Sequence, residues 1–207
     1  MRISSLDRNF RNRRSVANPP ESQHNPSMET KLIAKPLISV EQYLNTVYEP
    51  DCEYNDGVIE KRKAGEFDHS FIQVTLATVF TNQIGKWNAF ALIAQRIQIK
   101  PRRFLVPDLT VIRMGTPRER IITRPPLIAI EIMSPEDTMK RAEKKAAEYL
   151  EFGVENVWFI DARNEKARAA YHATQTGLQL VAAGEQTVAG TPILVRVPEL
   201  FEKLDQF

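Results

Sequence analysis

The sequence predicts an α/β domain with a mixed central sheet flanked by helices, and three observations predict it. Leu127–Met133 is a near-continuous apolar run, the mark of a strand buried on both faces. An amphipathic helical pattern follows it and leads into a second apolar strand at 156–160. A strand, helix and strand of this length make a right-handed unit whose two strands are parallel. Turn signals at Asn55-Asp56-Gly57 and Thr176-Gly177 add antiparallel hairpins, so the sheet is mixed.

Residues 1–35 are rich in Arg, Asn, Pro and Ser with little apolar periodicity, and are expected to form a disordered or loosely docked tail. Met28 is a candidate start. The domain is expected at 36–207. It opens with a short helix at 40–47, followed by a strand pair at 52–59 turning on Asn55-Asp56-Gly57, with Glu53 just before the turn. Asp68 is expected to cap a helix over 69–84, in which Ile72, Leu76, Val79, Phe80 and Ile84 fall at helical spacing. The alternation over 92–99 predicts one strand with a wet side. Pro107-Asp108 opens the next strand at 109–112, where a leading proline removes no ladder donor. After the 127–133 strand, Ser134-Pro135-Glu136-Asp137 has the form of a helix start: an N-cap serine, proline at the first helical position and acids in the first turn. That helix should run to Phe152 with Gly153 as its cap. A strand at 193–197 and a terminal helix from Pro198 complete the chain.

At 207 residues and 43% hydrophobic, the chain can bury one good core. Its one cysteine, Cys52, excludes an intrachain disulfide and fits a cytoplasmic setting. No apolar stretch approaches the ~20 residues a membrane span needs, and the arginines at the start have no apolar segment after them, so a secretory signal is not expected. The net charge of +2 gives no argument for nucleic acid. The segment 96–124 does: Arg96, Lys100, Arg102, Arg103, Arg113, Arg118, Arg120 and Arg124 stand against only Asp108 and Glu119. Such a density of cations suits phosphate tracking, although solvated loop charges would look the same.

The chemistry centres on Glu131. Along a strand it shares a face with Leu127, Ala129 and Met133, and ionised and unpaired there it would cost several kcal/mol, roughly. A metal or a lysine must therefore stand beside it. Asp108, at the end of a neighbouring strand, is its companion, and two such acids suit an oxygen-lined site for Mg²⁺ (or Mn²⁺). The competing reading has Asp108 capping a turn and Glu131 paired with a basic side chain without metal. With histidines only at 24, 69 and 172, no zinc-type spacing exists, and no Ser or Cys nucleophile with a nearby base is visible.

The ordered series Ser39-Val40-Glu41-Gln42-Tyr43-Leu44, Glu53-Tyr54-Asn55-Asp56-Gly57, His69, Pro107-Asp108, Glu131-Ile132-Met133-Ser134-Pro135, Lys145 to Tyr149, Gly153-Val154 and Trp158 resembles the restriction-endonuclease-like subfamily, of unknown biological role, in the PD-(D/E)XK nuclease superfamily. The resemblance spans about 37–200. It implies a restriction-endonuclease-like fold, a metal-dependent endonuclease acting on nucleic acid, DNA foremost, and Glu53 as a further metal ligand, with His69 at another family position. Arg102, Arg103, Arg118, Arg120 and Arg124 would then be nucleic-acid-binding residues, and a homodimer stays open. One departure stands out: the superfamily's lysine, two residues after the Glu, is Met133 here. That favours the alternative of a non-catalytic protein binding nucleic acid or a partner on a nuclease fold.

A substitute lysine can be sought on the following helix. Folding back from Pro135 at about 1.5 Å per residue, it brings 141–145 level with Glu131. Met139, Ala142, Ala146, Tyr149 and Leu150 form its sheet-facing stripe, with Lys145 at the edge of that stripe and Lys144 facing solvent. Lys145 leans toward the helix N-terminus, the direction of Glu131, and is expected as the third catalytic residue with Asp108 and Glu131.

Overall fold

The computed structural model describes residues 37–62 and 65–207; the expected tail and Met28 lie outside the described residues. In chain order the first elements are α1 (Val40–Asn45), β1 (Cys52–Asn55), β2 (Val58–Lys61), α2 (Phe67–Asn82) and α3 (Ile84–Trp87). Then come β3 (Ala89–Ile93), β4 (Ile97–Lys100), β5 (Arg103–Leu105), β6 (Leu109–Arg113), β7 (Ile128–Ile132), α4 (Met139–Phe152) and β8 (Val157–Asp161). A 3₁₀ turn at Glu165–Ala167 precedes β9 (Ala169–Thr174), β10 (Gly177–Leu180), β11 (Glu185–Thr187), β12 (Leu194–Arg196) and α5 (Val197–Leu204). Among these, no helix is long and apolar enough to cross a membrane.

The central sheet has six strands in the order β10-β9-β8-β7-β6-β3, mixed because β7 and β8 are parallel while the other neighbours are antiparallel. The alternation of β7 sorts its side chains between two cores. Ile128, Ile130 and Ile132 pack with Ile72, Leu76 and Phe80 of α2 and Leu200 and Leu204 of α5. Ala129 and Met133 pack on the other face with Ala142, Ala146 and Tyr149 of α4. Glu131 belongs to this second face.

A separate four-stranded antiparallel sheet, β2-β1-β5-β4, sends Ile97, Ile99 and Leu105 into the same α4 core. Its hairpin turns at Asp56 (φ 46°) and Gly57 (φ 93°), two left-handed positions in succession, as Asn-Asp-Gly predicts. The remaining two-stranded sheet pairs β11 with β12.

Three expectations are corrected. The single strand over 92–99 is two strands, β3 and β4, in different sheets, because Ala94 takes a left-handed conformation (φ 49°) and turns the chain between them. The helix expected to start at Ser134-Pro135 starts at Met139, with the Thr138 hydroxyl accepting the Arg141 amide at 3.2 Å. Ser134–Asp137 form a turn instead: the Asp137 carboxylate accepts the Ser134 amide at 2.8 Å, and Arg163 holds the Asp137 carbonyl. Asp68 is a first-turn residue of α2 rather than its cap, since the helix begins at Phe67, two residues earlier than expected, behind Glu66. Gly153 does cap α4, at φ 99°, with its amide on Leu150 and that of Val154 on Tyr149.

Candidate active site

β6 and β7 run antiparallel in a register that pairs Leu109 with Ile130, so the residue before β6 comes level with the end of β7. Asp108 is that residue. Its Oδ2 accepts the Ile132 amide at 2.7 Å and the His69 Nε2 at 3.2 Å, while Arg62 grips Oδ1. Burial by itself would raise its pKa, but the His69 hydrogen bond, the Arg62 charge and the Ile132 amide outweigh burial and hold the carboxyl below the usual aspartate value. Asp108 is therefore a fixed anion at the sheet end.

Glu131 sits one residue back on β7, buried on the α4 side. Its Oε1 accepts the Tyr149 hydroxyl at 2.6 Å and lies 2.8 Å from Lys145 Nζ. Tyr149 and Lys145 are one helical turn apart on α4, which is why one face delivers both. The same ammonium lies 2.7 Å from Oε1 of Glu53, so Lys145 ties the central sheet to β1 of the smaller sheet. Burial pushes Glu131 up to about 7; the Lys145 charge opposes the rise, and Asp108 and Glu53 add to it. For Lys145, burial works toward deprotonation, yet the two carboxylates win and raise its pKa. Burial and the neighbouring Glu131 raise the Tyr149 hydroxyl well above the tyrosine norm, so it stays a donor.

These groups open onto a cavity of about 320 Å³ whose walls include Glu53, Arg62, His69, Asp108, Glu131 and Lys145. Exposed Lys61, Arg141 and Lys144 stand on its rim. Arg103 closes one wall, 3.4 Å from Glu53, 2.9 Å from Glu60 and 2.8 Å from Glu148.

The chemistry of the donors fits a hard divalent cation: Asp108 and Glu131 offer carboxylate oxygens from adjacent strands, and Glu53 adds a third carboxylate nearby. Among the described residues no three His, Cys, Asp or Glu side chains already stand in metal-holding geometry; Arg62 is paired with Asp108, and Lys145 stands between Glu131 and Glu53. Mg²⁺ needs no such cage, since it commonly keeps several waters and takes only one or two protein carboxylates plus phosphate.

The model of the Uma2 family, described as "Putative restriction endonuclease", matches residues 40–197 of this sequence. The chain belongs to the Uma2 family. Every residue of the cavity wall lies inside that match. No curated protein matches. A solved structure, described as a "putative nuclease belonging to DUF820" from Anabaena variabilis ATCC 29413, is similar at 23% identity and a TM-score of 0.67, covering 81% of this chain and 99% of that one. The fold is thus the restriction-endonuclease-like one expected from the resemblance.

In this Uma2 chain Asp108, Glu131, Lys145, Glu53 and His69 come together at one cavity. Of the arginines expected to bind nucleic acid, only Arg103 reaches that cavity. Arg103 is buried and committed to three glutamates, and Arg102 pairs with Asp56 on the exposed hairpin turn. Arg118 and Arg124 line a second cavity of about 730 Å³ at the far end of β6, beside Phe90, Ile112 and Pro126, and Arg124 pairs with Glu119 at 2.8 Å. Arg120 donates to the Leu44 carbonyl at 2.7 Å. A run of cations in sequence thus scatters over different surfaces, because the segment passes through β4, β5, β6 and the loop beyond.

Two site residues escaped the sequence reading. Tyr149 was legible only as core, although a buried tyrosine hydroxyl needs a partner and Glu131 lay on the face it points to. Arg62 follows β2 without any periodic signal, and its contact with Asp108 spans 46 residues of chain.

Proposed function

We propose that this Uma2 protein is a metal-dependent endonuclease that hydrolyses phosphodiester bonds of nucleic acid, DNA foremost, with Mg²⁺ or Mn²⁺ as cofactor. The observation that carries the reading is the convergence of Asp108 and Glu131 on one cavity with Lys145 2.8 Å from Glu131. Membership of a family described as putative restriction endonucleases supports it.

Asp108 and Glu131 would hold the cation, with Glu53 able to join them. A divalent ion bound there supplies charge for the phosphoryl oxygens and lowers the pKa of an attacking water. The chain's own residues do the rest. Lys145 orients the attacking water or stabilises the charge that develops on the phosphate. Tyr149 keeps Glu131 oriented through Oε1, and His69 does the same for Asp108 through Oδ2. Lys61, Arg141 and Lys144 at the cavity rim give the phosphate backbone an approach, which Arg118 and Arg124 would extend only for a substrate that reaches the far end of β6, and Arg120 only for one that reaches the surface beside Leu44. A cytoplasmic location is supported by the single Cys52, free and buried.

A second reading has a specific observation behind it. Each carboxylate of the site already carries a cation of the chain, and Met133, where the superfamily has its lysine, is packed into the α4 core. Such a site could serve a protein that binds nucleic acid or a partner without cutting it. Thermal melts decide between the two. Mn²⁺ should raise the wild-type melting temperature by mass action on the native state, and Asp108→Ala should abolish the rise. Equal shifts in both proteins, or none in the wild type, would remove the metal site. Incubation with plasmid, single-stranded DNA and RNA in Mg²⁺, Mn²⁺ or EDTA then tests cleavage.

A further inference from the structure

We infer that Arg62 is an exchangeable counter-ion: it neutralises Asp108 until a divalent cation takes Oδ1, and the freed guanidinium then binds a phosphate of the substrate. The inference rests on the metal-dependent reading above and adds a residue and a coupling to it.

The two oxygens of Asp108 are used unequally. Oδ2 is tied to the Ile132 amide and His69, both parts of the protein frame, so it orients the carboxylate. Among the described residues, Oδ1 is held by Arg62 alone. A cation approaching Asp108 from the cavity must therefore compete with one guanidinium for one oxygen. Arg62 can give way without disturbing the fold, since its main chain is anchored separately, with its amide on the Asp51 carbonyl at 3.2 Å. Its side chain is mostly covered, at 20% exposure, but its open part lines the cavity, so a rotation leaves the head group inside the site.

The released group suits a phosphate. A guanidinium offers paired N–H donors in a planar fork that matches two phosphoryl oxygens, and it stays charged at any working pH. Asp108, Glu131 and Glu53 would repel an incoming phosphodiester if their charge were uncompensated. An arginine that leaves Asp108 only when a cation replaces it keeps the site compensated in both states. The consequence is reciprocal coupling: metal favours substrate binding through Arg62, and substrate favours metal.

The test uses the full chain, with folding of each variant checked by circular dichroism. Mn²⁺ affinity is measured by calorimetry, and affinity for a fluorescein-labelled DNA duplex is measured in Ca²⁺ to suppress turnover. Arg62→Gln should bind Mn²⁺ about tenfold more tightly than wild type and the duplex about tenfold more weakly, the scale of one charge-assisted hydrogen bond. Should Arg62→Gln not fold, Arg62→Lys keeps the charge without the fork, and should hold Mn²⁺ affinity within about threefold of wild type while still losing duplex affinity. Unchanged Mn²⁺ affinity in Arg62→Gln, or unchanged duplex affinity in either folded variant, overturns the exchange and leaves the metal-dependent reading standing. Absence of Mn²⁺ binding in wild type and variants alike overturns that reading, and the exchange with it.

Discussion

Lys145→Met removes one charge from between two carboxylates and keeps most of the apolar stem, so its effect can be worked from the geometry. The ammonium lies 2.8 Å from Glu131 and 2.7 Å from Glu53, in a buried setting. Deleting one partner of such a pair typically costs about 3–5 kcal/mol, because the other charge is left buried and uncompensated. The cost should depend on pH. Glu131 is raised from 4.5 to about 7 by burial even with Lys145 in place, so the fold holds its proton more tightly than the unfolded chain does. A carboxyl of that kind makes the fold less stable as pH rises between its unfolded and folded values, and without the lysine the folded value climbs further. At pH 8 Glu131 must stay ionised without its partner or take a proton against the solution, and the loss should approach about 4 kcal/mol on that scale. At pH 5.5 Glu131 is protonated in the fold, and most of the penalty disappears. Urea denaturation followed by circular dichroism at the two pH values, without metal, gives both numbers. Mn²⁺ should then stabilise the variant more than the wild type at pH 8, since a cation replaces the ammonium. An equal loss at pH 5.5 and pH 8 would refute the reasoning.

Three further outcomes follow from the same structure. Tyr149→Phe deletes the 2.6 Å hydrogen bond to Glu131 and should cost about 1–3 kcal/mol by leaving that oxygen one donor short, read as a lower urea midpoint with an unchanged slope. Lys61→Ala with Lys144→Ala, both at the cavity rim, should flatten the salt dependence of DNA binding by roughly two phosphate contacts, whereas Arg118→Ala with Arg124→Ala at the far cavity should flatten it less on a short duplex; the reverse order in fluorescence titrations would put the substrate at the other end of β6. Gly153→Ala should lower stability by about 1 kcal/mol or more, because the residue sits at φ 99° and a Cβ there meets Pro125 Cγ at 3.2 Å; a melting temperature equal to wild type would contradict it.

How much of this could be read from the residues depends on whether a signal is local. Glu131 was legible because a carboxylate inside an apolar run demands a partner, and Lys145 because helical phase and the lean of a long side chain are local geometry. That reach survived a wrong helix start. Ser134-Pro135 carries the local signal of a cap, yet the helix starts behind Thr138, and Arg163, from a later strand end, holds the Asp137 carbonyl of the turn between them. The break at Ala94 had no residue-type signal, since the apolar alternation passes straight through it and alanine seldom adopts positive φ. The arginine-rich segment misled because counting charges ignores where the partners come from: Glu53, Glu60 and Glu148, which absorb Arg103, lie more than 40 residues away in the chain.

The split at Ala94 has a mechanical consequence. By sending β4 into the small sheet and β3 into the large one, it makes the cavity a seam, with Glu53 on one side and Asp108 and Glu131 on the other. Lys145, carried by the helix packed against both sheets, works as a clasp across that seam. A charge placed between the acids therefore tightens the joint between two layers, and one withdrawn loosens it. β1 and β2 should report that tightening or loosening as slower or faster amide exchange, at a distance from Lys145 itself.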